Sequence, residues 1–137
     1  MSQVETLINQ ILEHGQNNAD DSLKVIPQLQ PWQHTSQGDV DFVLLPSRPE
    51  RVAKASPVSQ LAPGTSKGSR HCIRLEDVAK IQFWKLPNPN PLQGLILEFA
   101  EPIVIEHPEH GDQQLHAGVW FVKFQRRHAD EVKRIAD

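Results

Sequence analysis

What most constrains this chain is punctuation. Beyond Gly38 it runs in short stretches of branched and aromatic residues punctuated by Pro and Gly. Such texture predicts an all-β unit. Candidate strands fall at 40–45, 52–61, 70–75, 80–86, 92–99, 102–106 and 119–125. In the last, Trp120, Val122 and Phe124 alternate with Phe121, Lys123 and Gln125, the period of a half-buried antiparallel strand. Each proline of Pro87-Asn88-Pro89-Asn90-Pro91 lacks a ladder donor, so this run predicts a loop between the fourth and fifth of these strands. The expected fold is mainly β, a small antiparallel barrel or sandwich.

An N-terminal amphipathic helix is expected in front of it. Ser2 and Glu5 make a capping-box pattern, Val4, Leu7, Ile8, Ile11 and Leu12 recur at helical spacing, and Gly15 supplies a stop. A helix this short is marginal alone in water, so its apolar stripe needs a surface: a barrel end, a sheet or another subunit. Residues 16–38, rich in Gln, Asn, Asp, Ser and Pro, read as an extended connector with Trp32 as its aromatic anchor. The expected organisation is therefore a helix at 1–15, a connector at 16–38 and one β domain at 39–137.

With 137 residues, the chain is long enough to bury on the order of two thirds of its unfolded surface without disulfides or a structural metal. Its net charge of -3 gives no global attraction for nucleic acid. The basic residues near the C-terminus, Arg126, Arg127, Lys133 and Arg134, are interleaved with acids and lack an aromatic ladder. The single Cys72 has no intramolecular partner, and no basic region precedes a long apolar run, so a cytoplasmic protein with no membrane span is expected.

Charge is segregated along the chain. Residues 46–85 carry Arg48, Arg51, Lys54, Lys67, Arg70, Arg74, Lys80 and Lys85 against Glu50, Glu76 and Asp77. Residues 86–122 carry Glu98, Glu101, Glu106, Glu109 and Asp112 with no Lys or Arg. The two segments either attract each other or decorate separate solvated edges.

Within the cation-free segment stands His107-Pro108-Glu109-His110. Pro108 biases His107 away from helical geometry, so a strand ending at Glu106 is expected to turn through Gly111 and let two imidazoles converge. His71, after a Gly/Ser-rich turn, is the third candidate. Imidazoles and carboxylates without a competing cation suit a divalent metal, and a nitrogen-dominated set favours zinc or another transition metal over calcium or magnesium. His71, His107 and His110 are the candidate ligands; Glu106, Glu109 and Asp112 are candidate outer partners that orient them. The bland alternative is two polar turn residues and a strand histidine. Lys67 and Arg70, in the turn 63–70, are candidates for anion binding, weighed against a plain strand connection.

An ordered set of short motifs carries a resemblance. Gly38-Asp39-Val40, then Gly68 and His71, then His107, Glu109 and His110, then Leu115, Gly118 and Trp120, and finally Gln125 and Arg126 follow one another. From Gly38 onward this order resembles an uncharacterised family of small bacterial β-domain proteins with Gly-His-x-His and His-x-Glu-His elements. The chain departs at Ser69, where the pattern places a histidine, so a four-histidine site becomes at most three. The resemblance implies a shared fold and site but no reaction.

The expected function is thus a His-based divalent-metal or polar small-ligand site on a cytosolic β domain, with no catalytic residue assigned. If the site is catalytic, metal-assisted hydrolysis with Glu109 or Glu106 as base is the expected chemistry. The alternative is a non-catalytic interaction module that assembles, as a homo-oligomer or with a partner, through its N-terminal helix and segregated charges.

Overall fold

A computed structural model describes residues 23–62 and 71–125. The expected helix at 1–15, the turn bearing Lys67 and Arg70, and the basic C-terminal patch lie outside the described residues.

Among the described residues, ten strands and one short helix follow in order: β1 (Lys24–Val25), β2 (His34–Gln37), β3 (Val40–Leu45), β4 (Ala53–Lys54), β5 (Cys72–Ile73), α1 (Leu75–Val78), β6 (Ile81–Lys85), β7 (Gln93–Phe99), β8 (Ile103–Glu106), β9 (Gln113–Leu115) and β10 (Gly118–Phe124). They form a six-stranded sheet ordered β2-β3-β10-β7-β6-β4 and a four-stranded sheet ordered β1-β9-β8-β5. Of the two expected architectures, the closed barrel is not formed. Among the described residues each sheet keeps two edge strands, and the sheets meet through side chains rather than through a shared ladder.

Alternation explains the layering. Val40, Phe42 and Leu44 of β3, Leu97 and Phe99 of β7, and Trp120, Val122 and Phe124 of β10 point from the large sheet into a core completed by Ile73, Ile103, Ile105 and Leu115 of the small sheet. The Trp120 indole N–H donates to the His116 carbonyl at 2.9 Å, so the largest core side chain buries no unmet donor.

Five expected strands match β3, β6, β7, β8 and β10 within a residue or two, and the Pro/Asn run is the loop between β6 and β7. The expected strand at 52–61 is reduced to Ala53–Lys54 plus an isolated bridge from Gln60 to Cys72. Strands β1, β2 and β9 were not expected. Trp32 is not an anchor: it is 69% exposed, in a turn with φ +73°.

The opposed charge segments pair within the chain. Arg48 reaches Glu98 at 3.7 Å, Arg74 reaches Glu106 at 3.3 Å and Asp112 at 3.6 Å, and Lys80 reaches Glu101 at 3.9 Å. The cation-free stretch is supplied with cations by the segment before it.

Candidate functional site

The site grows from a hairpin. Gln37 and Val40 are paired residues, which leaves Gly38-Asp39 as a two-residue loop. Glycine at its first position, with φ +59°, is what a type II′ turn requires. The turn projects Asp39 toward the corner where the two sheets meet. Gln125, just past β10, secures it: its backbone N–H donates to the Asp39 carbonyl at 2.9 Å and its side-chain amide donates to the Gly38 carbonyl and the Asp41 carboxylate.

His71 enters the same corner immediately before β5 and is fully buried. His107 follows β8 and is 2% exposed, while His110 sits on the outer side of the turn between β8 and β9. The rings of His71 and His107 have centroids 4.3 Å apart, and those of His107 and His110 are 4.6 Å apart. The three histidines singled out in the sequence therefore form one stack. Among the described residues, no group of three or more His, Cys, Asp and Glu side chains has the spacing of an assembled metal cluster.

Hydrogen bonds assign the ring protons. The Gln37 amide donates to the carbonyls of Ile105 at 2.9 Å and Gly111 at 2.7 Å, so its oxygen is the atom facing His71 Nδ1 at 2.9 Å. Flipping the amide would set oxygen against two carbonyls. His71 Nδ1 is consequently a donor, and its other nitrogen, Nε2, lies 3.1 Å from Asp39 Oδ1. Two lone-pair atoms at that distance share a cation, the simplest being a proton, which makes the contact an ion pair or its neutral equivalent. His107 is wired the opposite way. Its Nδ1 accepts from the backbone N–H groups of Glu109 at 3.1 Å and His110 at 3.0 Å, so the neutral ring carries its proton on Nε2. His107 thereby shapes the turn that presents His110.

The outer carboxylates divide. Glu106 and Asp112 face Arg74, and Asp112 Oδ1 also accepts the His107 backbone N–H at 3.2 Å. Glu109 is exposed. His34 is exposed on β2, and His116 serves the fold: its Nε2 accepts the Leu29 N–H at 3.0 Å while Nδ1 donates to the Ala117 carbonyl.

Three residues that sequence reasoning missed support the corner. Gln37 orients His71, and Asp39 pairs with it. Gln113 accepts from Thr35 Oγ1 at 3.1 Å and donates to the Ser36 carbonyl at 2.5 Å, tying β2 to β9 across the two sheets. Asp39 stood beside Gly38 in the resemblance and was readable as a carboxylate on a turn; the two glutamines carried no signal apart from alternation with Thr35 and Leu115.

Among the described residues no helix is long and apolar enough to cross a membrane. No curated protein and no solved structure matches the chain. A family model described as a domain of unknown function, DUF8820, matches residues 36–125. The match opens one residue before Gln37 and closes on Gln125, enclosing the Gly38-Asp39 turn, all three stacked histidines and most of both sheets. The chain therefore belongs to the DUF8820 family.

Proposed function

We propose that this domain is a binding module whose corner site takes a divalent transition metal, in exchange for the proton that otherwise bridges His71 and Asp39. The observation that carries the reading is the wiring of His71. Its Nδ1 proton is held by Gln37, as an outer partner holds a metal-bound imidazole, while Nε2 is directed at a carboxylate oxygen 3.1 Å away. Two donors about 2.0–2.1 Å from one zinc ion stand about 2.9–3.4 Å apart at cis to tetrahedral angles, so that spacing suits a shared ion.

His110 is the third ligand in this reading and must swing in from its exposed position to complete the set. His107 acts as a positioning residue, because coordination through Nε2 would demand loss of its remaining proton while Nδ1 still accepts two amide hydrogens. Zinc, or another metal that favours imidazole with one carboxylate, fits this donor set.

Isothermal titration of the full chain with zinc, in two buffers of different ionisation enthalpy, tests the reading. One-to-one binding with about one proton released is expected, since ligands deprotonate as the metal enters. Asp39→Asn and His110→Ala should each weaken binding at least tenfold, and His34→Ala should leave it unchanged. Absence of binding, or binding indifferent to Asp39→Asn, defeats the metal reading. A polar small-ligand site built on the His71–Asp39 ion pair would then stand in its place, favoured by the partial exposure (28%) of the Asp39 side chain beside buried His71.

A further inference from the structure

The six-stranded sheet has a second apolar face, turned away from the small sheet. Its register sets Val43 beside Phe121, Phe121 beside Ile96, and Ile96 beside Trp84. Paired residues of antiparallel strands share a face, so these four side chains make one transverse row across β3, β10, β7 and β6. Leu45 and Val119 form the start of a neighbouring row. Leu45, Trp84 and Ile96 are the buried centre of this cluster, with Val43, Val119 and Phe121 half-buried around them.

We propose that this outer face is the docking surface for the chain's own N-terminal segment, residues 1–15. Three observations select this occupant. The aliphatic stripe from Val4 to Leu12 would extend about 12 Å as a helix, and the row from Val43 to Trp84 crosses three strand spacings, about 14 Å. The charges are complementary. Residues 1–15 carry Glu5 and Glu13 with no Lys or Arg, whereas the row ends beside exposed Lys54 and lies two residues from exposed Lys123, with Arg48, itself paired with Glu98, over the Trp84 ring at 4.3 Å. The carboxylates of that face are engaged locally, Glu98 by Arg48 and the Trp84 indole N–H, and Asp41 by Ser36 and Gln125. Finally, the residues between Leu12 and Leu23 can extend on the order of 35 Å, comparable with the diameter of a domain this size.

Paramagnetic broadening in the full-length chain tests the assignment. A nitroxide is attached at Gln10→Cys in a Cys72→Ser background, and amide signals are recorded on ¹⁵N-labelled protein. Docking predicts that signals of Val43, Ile96, Phe121 and the Trp84 indole lose at least half their intensity while Ile105 and Leu115 keep theirs. Val43→Lys should restore the lost intensity, with the remaining spectrum reporting that the fold persists. Unchanged intensities on the outer face, or broadening confined to the small sheet, overturn the proposal. Broadening that persists when spin-labelled unlabelled-isotope protein is mixed with nitroxide-free ¹⁵N protein also overturns it, because the occupant is then a second copy.

Discussion

Gly38 shows how much a single backbone position decides here. Its φ of +59° is a conformation in which an L side chain costs about 1–2 kcal/mol. A Cβ there would also lie 2.4 Å from His110 Cδ2 and 2.7 Å from Nε2, so the imidazole rests where a side chain would be. Gly38→Ala should destabilise the domain by about 1–2 kcal/mol and push the His110 ring outward. Removing the ring separates the two effects. In a His110→Ala background the stability cost should persist, since it belongs to the backbone, whereas the single variant alone should shift the ring resonances of His110. Denaturant melts of the three variants, with histidine-ring spectra of Gly38→Ala, check both halves. A full return of stability in the double variant would show that crowding, not dihedral strain, requires glycine.

Among elements, the contrast between legible and hidden strands follows from what their inward side chains do. β3 and β10 announce themselves because Phe42, Leu44, Trp120 and Val122 must leave water, and alternation follows from that. β2 and β9 are hidden because their inward positions hold Thr35, Gln37 and Gln113, whose burial is made tolerable by hydrogen bonds across the sheets rather than by apolarity. The same amides position the candidate site, so the features that concealed two strands also concealed the support of His71. The stack of His71, His107 and His110 was legible from residue type and the Pro108 turn; the direction of each ring nitrogen was not.

The short α1 makes a comparable contribution. Buried Asp77 accepts the Val104 N–H at 2.9 Å through Oδ2 and meets Lys80 Nζ at 3.0 Å through Oδ1, joining α1 to the start of β8. That contact raises the Lys80 amine above its ordinary 10.5, chiefly through the hydrogen bond to Asp77. A raised base contributes stability fully below that range and loses it only as pH climbs through the elevated value, so neutral conditions leave the pair intact. Asp77→Ala strands the Val104 donor and should cost about 1–3 kcal/mol. Lys80→Met should cost much less, because the amine is exposed. Equal losses from the two substitutions, in urea melts, would show that the ion pair rather than the buried acceptor holds this junction.

At the scale of the whole molecule, the two faces of the large sheet separate folding from docking. Among the described residues, the central core is built from Ile26 to Phe124 and buries Trp120, Phe42 and Ile105 between the two sheets. The outer row gains a cover if residues 1–15 lie on it, and the strand pairing that creates the row is independent of that cover. Deleting residues 1–15 should therefore preserve a cooperative thermal transition and a β-type far-ultraviolet spectrum. It should also lower the midpoint, increase binding of a hydrophobic dye and promote concentration-dependent association through Val43, Phe121 and Trp84, since a large exposed apolar patch is seldom left bare. Scanning calorimetry and light scattering on the two chains separate these outcomes. A truncated chain that is unfolded would place the N-terminal segment in the core's own stability. One that melts like the full chain, stays monomeric and binds no more dye would leave the outer face without any need for that segment, and the row from Val43 to Trp84 would then be stable through its own packing and the Arg48 cover over Trp84.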